Sequence, residues 1–219
     1  MEATLGYIRK ETFVQRLVGK KTFWTLICSL LFIYPIYRSM NRTLPPELPV
    51  YLQLPSFSLI NDFGKSFGSN ELKGKIYFVT FANTDYLKTN PKLTKTLGTI
   101  QKRMRGVRNE ASHVTITTQP IVDSVATIYK SARKLQANPF YWNFLTGDNA
   151  VQTINNTFKA FLVEQKYLTQ ESSLDDLVNL NKIILVDRIG QIRGAYSMDK
   201  HSINTLMINV GILMNRNKK

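Results

Sequence analysis

Residues 75–82, Lys-Ile-Tyr-Phe-Val-Thr-Phe-Ala, are apolar almost without a break. A strand with one wet face alternates apolar and polar side chains, whereas an unbroken run fits a strand buried on both sides. Such a strand belongs at the centre of a sheet, and the neighbouring segments supply its cover. Leu93, Leu97, Ile100 and Met104 recur at helical spacing over 91–107, with Lys92, Lys95, Lys102, Arg103 and Arg105 on the outside. Val125, Ile128, Ala132 and Leu135 do the same over 123–135, with Asp123 or Ser124 as the cap. Further helices are predicted over 151–162 and 203–214. Strands are predicted at Phe57-Ser-Leu-Ile, from Lys65 after the Asn61-Asp-Phe-Gly turn, over 113–118, and at Asn181-Lys-Ile-Ile-Leu-Val-Asp and Gln191-Ile-Arg-Gly-Ala-Tyr. The order β-β-β-α-β-α-α-β-β-α describes an α/β domain with a central sheet covered on both faces.

Upstream, no charged side chain lies between Lys21 and Arg38. The intervening residues 22–37 are slightly fewer than the roughly 17–25 of a spanning helix. However, Lys20, Lys21 and Arg38 can snorkel, and Trp24, Tyr34 and Tyr37 suit the two interfaces. No small-x-small cleavage site follows. An uncleaved transmembrane anchor over 22–40 is therefore favoured over a signal peptide or a buried core helix. Arg9, Lys10, Arg16, Lys20 and Lys21 precede the span, and only Arg38 and Arg42 closely follow it. The positive-inside rule places residues 1–21 on the cytoplasmic side and the main domain on the periplasmic side. In a mitochondrial inner membrane the domain would face the intermembrane space. Residues 4–21 have the spacing of a short amphipathic helix. Residues 41–54, with Pro45, Pro46 and Pro49, read as an extended stalk, and 55–219 as the domain.

The chain carries a net charge of +14, and residues 41–219 keep 23 basic against 13 acidic side chains. Beyond a membrane, such charge meets anionic lipid or an acidic protein surface rather than nucleic acid. Part of it is a solvated face.

Four signatures then follow one another in order, the first made of two strings. Phe57-Ser-Leu-Ile-Asn-Asp-Phe-Gly-Lys-Ser-Phe leads to Leu72-Lys-Gly-Lys-Ile-Tyr-Phe-Val-Thr-Phe. After it come Thr117-Thr-Gln-Pro-Ile-Val-Asp-Ser, Trp142-Asn-Phe-Leu-Thr-Gly, and Ile184-Leu-Val-Asp-Arg-Ile-Gly-Gln-Ile-Arg-Gly-Ala-Tyr. Over 55–214 the set resembles the Sco (SenC) family. Pro120 and Asp123 match its Ser-Val-Asp-Pro-x-x-Asp-Thr string, while Gln119 replaces an aspartate. The resemblance implies a thioredoxin-like fold, a mixed sheet with helices on both faces, behind one N-terminal membrane helix. It also implies a place in cytochrome c oxidase assembly, where the family carries copper and exchanges thiols through Cys-x-x-x-Cys and a histidine.

This chain departs from the family at those ligands. Its one cysteine, Cys28, lies in the predicted anchor. Asn83-Thr-Asp-Tyr-Leu-Lys-Thr-Asn-Pro aligns without gaps with the family's Phe-Thr-x-Cys-x-x-x-Cys-Pro. Thr84 and Pro91 match, but Tyr86 and Asn90 hold the cysteine positions, and the histidine position falls on Asn179. A phenol and two amides are hard, neutral donors, whereas Cu(I) selects thiolate and imidazole. Without a cysteine pair the domain forms no disulfide. His113 and His201 have no neighbouring ligand at metal spacing and read as surface or hydrogen-bonded histidines. Met104, Met198, Met207 and Met214 read as packing, Tyr86 as packing in the vacated site, and Asp85 and Lys88 as solvated loop charges.

The expectation is a membrane-anchored, non-catalytic binding or assembly factor in oxidase biogenesis, with no cofactor and with protein partners such as oxidase subunits or assembly factors. Lys92, Lys95, Lys102, Arg103 and Arg105 are the candidate partner-binding residues. The alternatives are a copper chaperone or redox protein with non-standard ligands, or a structural subunit of a membrane complex. The partner's identity and the oligomeric state stay open.

Overall fold

The structure is a computed structural model describing residues 12–41, 46–107 and 110–216. Residues 1–11, which begin the expected amphipathic helix and include Arg9 and Lys10, lie outside the described residues, as do Arg42 and Pro45. The chain divides between Pro46 and Glu47 into two compact units.

The first unit contains helices α1 (Phe13–Val18) and α2 (Lys21–Met40). Twenty residues at 1.5 Å each give about 30 Å, the thickness of a bilayer's hydrocarbon core. Helix α2 is long and apolar enough to cross a membrane. Pro35 lies inside the helix rather than past its end.

The second unit is built on one eight-stranded sheet. Its strands are β1 (Leu52–Gln53), β2 (Ser58–Asn61), β3 (Ser66–Gly68), β4 (Ile76–Phe81), β5 (Ala111–Ile116), β6 (Trp142–Thr146), β7 (Lys182–Val186) and β8 (Gln191–Ser197). They lie in the order β1-β8-β7-β4-β5-β6-β2-β3, with β4, β5 and β6 parallel and the remaining pairs antiparallel. All six residues of β4 are buried, as its unbroken apolar run demands.

Period-two alternation divides β4 between two cores. Ile76 and Phe78 join Trp142, Phe144, Ile183 and Leu185 on one face. There they pack against Leu97, Ile100 and Met104 of α5 (Pro91–Met104), Ile128 and Ala132 of α6 (Val125–Lys134), and Ile203, Leu206 and Val210 of α10 (Lys200–Arg216). Tyr77, Val79 and Phe81 face the other way, with Val114, Ile116, Leu145, Ile184 and Val186. That side is covered by Phe158, Phe161 and Leu162 and by Leu177 and Val178. Each fully buried Leu, Ile or Phe contributes about 1.5–3 kcal/mol against exposure.

Shorter helices complete the unit. They are α3 (Ser69–Leu72), α4 (Thr84–Thr89), α7 (Ala150–Thr153), α8 (Ala160–Glu164) and α9 (Leu174–Asn179), with a π-helical turn at Ile154–Lys159 between α7 and α8. The helix expected over 151–162 is thus broken in its middle. Strand β6 and helices α4 and α9 were not expected. Ser124, not Asp123, caps α6, accepting from Thr127 N.

The stalk boundary also needs correction. Leu52 and Gln53 pair with Ile192 and Gln191, Tyr51 N donates to Ile192 O at 3.0 Å, and Arg193 Nη1 donates to Leu48 O at 2.8 Å. The chain from Leu48 onward is therefore an edge of the domain rather than free stalk. Pro49, which lacks an N–H, precedes the strand, where no ladder bond is lost.

His113 is a hydrogen-bonded core residue, fully buried in β5 and stacked on Trp142 at 4.9 Å. Its Nε2 lies 3.0 Å from Thr80 Oγ1, which is 2.9 Å from Thr115 Oγ1; Trp142 Nε1 donates to Thr115 Oγ1 at 2.8 Å. Its Nδ1 has no partner among the described residues. Burial pushes the imidazole pKa down from 6.5 to about 3. Between those two values the unfolded chain takes up a proton that the folded chain refuses. The contribution of His113 is intact above pH 6.5 and shrinks by at most ~1.4 kcal/mol per pH unit as pH falls. Below the folded value the loss levels off. Urea midpoints should decline as pH falls across this window, and H113Q should flatten part of the slope. An identical slope in H113Q would refute the assignment.

Candidate functional site

The loop leaving the C-terminal end of β4 is shaped by three polar caps. Asn83 Oδ1 accepts from Tyr86 N at 2.7 Å and starts α4. Asn90 N donates to Tyr86 O at 3.0 Å, closing α4. The same residue's Oδ1 accepts from Leu93 N at 3.0 Å, opening α5 with Pro91 in its first turn. Proline is tolerated there because the first N–H groups of a helix have no intrahelical partner.

Asp123 anchors the start of α4 from below. Its buried carboxylate accepts from Thr84 N at 3.1 Å and from the hydroxyls of Thr84 and Thr117. Its backbone carbonyl accepts from Thr146 Oγ1 at 2.8 Å, which ties β6 to the same point. The loop before it is turned outward: Ile121 is 98% exposed.

The positions read from sequence as former ligands come together in part. Tyr86 lies half-buried between the two cores, and its phenol oxygen accepts from Asn181 Nδ2 at 2.9 Å. Asn181 has a left-handed backbone (φ 49°), and its Nδ2 also donates to Asn179 O at 3.0 Å. Asn90, Leu180 and Asn181 line one cleft of about 230 Å³, together with Met198 and Asp199. Tyr86 and Asn90 therefore meet the turn after α9, but through Asn181. Asn179 itself, the last residue of α9, is exposed.

The donor set is phenol, amide and carboxylate oxygen with one thioether, Met198. These donors do not suit Cu(I), which favours several soft ligands. No cluster of three or more His, Cys, Asp or Glu side chains placed to hold a metal occurs among the described residues. His201 opens α10, remote in sequence from any such group, and Cys28 lies in α2. Asp85 and Lys88, expected in a loop, sit on α4 and pair at 2.8 Å on its exposed side.

The five basic residues read at α5 are all exposed. At 100° per residue, Lys92, Lys95, Lys102 and Arg103 share an arc of about 100°, and Arg105, the C-cap just past the helix, lies about 60° beyond Lys102. Arg103 Nη1 is occupied by Asn204 Oδ1 of α10 at 2.7 Å.

Residues 50–211 match the sequence profile of the SCO1/SenC family. Among solved structures, the chain is similar to a SCO1/SenC family lipoprotein from Bacillus anthracis, with 21% identity, 76% of this chain and 97% of that chain covered, and a TM-score of 0.61. It is similar to BsSco, described as a member of the Sco family of cytochrome c oxidase assembly proteins with a disulfide switch, at 19% identity, 77% and 96% coverage, and a TM-score of 0.59. It is similar to yeast Sco1 with copper bound at 20% identity, 74% and 94% coverage, and a TM-score of 0.54. At these identities the structural likeness concerns the fold. No curated protein matches the chain.

Truncations at the site should separate its parts. Y86F loses one hydrogen bond and is expected to cost about 1 kcal/mol. N90A loses a helix cap, again about 1 kcal/mol. D123N disturbs a buried acceptor of three donors and should cost about 3 kcal/mol. Urea unfolding of each variant measures these values; a D123N protein as stable as the parent would show that the knot does not hold the loop.

Proposed function

This chain belongs to the SCO1/SenC family, and from that premise we propose that it serves cytochrome c oxidase assembly by binding other proteins, without carrying copper or exchanging thiols. One observation supports this above all. Two of the three residues read at the family's ligand positions hold the backbone together: Asn90 joins two helices, and Tyr86 is spent on Asn181. A site kept for metal or thiol chemistry needs soft donors free to react. Here the oxygen and nitrogen donors are committed to structure.

A membrane location is supported by α2, the one helix of spanning length among the described residues, near the N-terminus. It is proposed as an anchor with the basic N-terminal residues inside and the domain on the periplasmic face, or facing the intermembrane space in a mitochondrion. The partner is an oxidase subunit or another assembly factor. The exposed arc of Lys92, Lys95 and Lys102 on α5 is available to an acidic one.

Copper titration of the full chain tests the central point. After Cu(I) loading under reducing conditions and dialysis, no stoichiometric copper should remain. The triple variant Y86C/N90C/N181H places two thiols one helical turn apart and an imidazole at the position that meets residue 86, and it should gain tight cuprous binding. Stable loading of the parent chain that Met198→Leu abolishes would favour a copper carrier with unusual ligands instead.

A further inference from the structure

A second concave surface lies on the opposite side of α4 from the Tyr86 cleft. Thr84, Leu87, Lys88, Pro91 and Thr94 of α4 and α5 face Lys130, Ser131, Lys134 and Leu135 of α6 across a groove of about 290 Å³. Its floor is apolar, formed by Leu87, Pro91 and Leu135, and three lysines stand on its rim. Lys130 and Lys134 are one turn apart on α6, where like charges repel. Lys88 pairs with Asp85, whereas Lys130 and Lys134 have no ion pair among the described residues.

Pro91, Thr94 and Gly98 fall at i, i+3 and i+7 and share one face of α5. A Cβ at Gly98 would meet nothing within 4 Å. Glycine within a helix is unfavourable relative to alanine, and here it leaves a channel open on the face that carries Thr94 and Pro91.

We propose that this groove is a docking site for an acidic protein segment that inserts an apolar side chain onto Leu87 and Leu135 while its carboxylates meet Lys88, Lys130 and Lys134. Charge complementarity selects the occupant. The unpaired cations on the rim want carboxylates, and the apolar floor rejects a bare anion. A concave slot between helices admits side chains, which a lipid surface does not supply. Burial of the anchor gives affinity, while the exposed rim mainly sets specificity and encounter rate. The inference rests on the reading of this domain as a binding module and names its partner's chemistry; copper retention tests that reading separately, so either can fail alone.

The test uses the full chain in neutral phosphatidylcholine nanodiscs and a short fluorescein-labelled peptide alternating Glu and Leu, followed by anisotropy. The peptide should bind and its Lys/Leu counterpart should not. K130E/K134E should weaken binding at least tenfold, and G98L, which blocks the channel without changing charge, should weaken it comparably while circular dichroism stays unchanged. K73E/K166E, at exposed positions outside the groove, should leave it as it was. The proposal is overturned if the peptide does not bind, if K130E/K134E binds as tightly as the parent, if K73E/K166E is equally damaging, or if inorganic phosphate displaces the peptide as an equal competitor. Recruitment of the labelled protein to phosphatidylglycerol vesicles that K130E/K134E abolishes, without peptide binding, would identify the groove as a lipid contact and equally defeat it.

Discussion

The burial of β4 on both faces is the constraint from which the rest of the domain follows. Six successive buried side chains require two cores, and the sheet order then fixes what surrounds the strand's C-terminal end. Because β5 runs parallel to β4, its own C-terminal end and Thr117 lie beside that point. Because β7 runs antiparallel and pairs Val79 with Ile184, its start at Lys182 lies on the other side. The loop after β4 is thus held between Asp123 and Asn181 by topology alone. Thr84 meets the first and Tyr86 the second.

The loop held there is closed by an amide and a phenol. A capping amide at Asn90 satisfies an N–H that would otherwise be orphaned at the start of α5. A phenol at Tyr86 fills space between two cores and finds a partner for its one polar atom. Reactive sites generally retain strain or unsatisfied groups that reduce stability. Here the residues run in the opposite direction: Asn90 and Tyr86 satisfy polar groups rather than leave them free. Asp123, with its Thr84 and Thr117 hydroxyls, is what keeps the loop in place.

The parts of this arrangement visible in sequence were those with a period or a fixed spacing. The unbroken run of β4 and the 3.6-residue recurrence of α5 and α6 marked elements within two or three residues, and Ser124 was one of the two caps considered. Strand β6 escaped because Asn143 and Thr146 interrupt its apolar residues. Both are nonetheless buried, and Thr146 is spent on the Asp123 carbonyl. Helices α4 and α9 span six residues each, too few to show periodicity, although the Ser173-Leu-Asp-Asp176 capping box was a local signal for α9. At the site, the gap-free string identified Tyr86 and Asn90. The residue that actually meets Tyr86 is Asn181, because its left-handed backbone turns the side chain back toward α4. A count along the chain cannot supply that. Nor could sequence show that α6 would present Lys130 and Lys134 across from Lys88, since this needs three helices to be neighbours.

Satisfaction is therefore unevenly distributed, and that has a consequence for function. Around the loop after β4, Asn83, Tyr86, Asn90, Asp123 and Asn181 all have partners, and two of them end or begin helices. Such a region offers little differential free energy to a ligand, because any group that binds must first break a bond already made. The surfaces left unsatisfied lie on either side of it: the exposed Ile121 and Val122 of the loop before Asp123, and the lysine-rimmed groove between α4, α5 and α6. Exposed apolar tips lower their free energy when covered, and clustered like charges do so only when opposite charges meet them. Bonds already made inside the loop and open groups beside it are thus two halves of one arrangement.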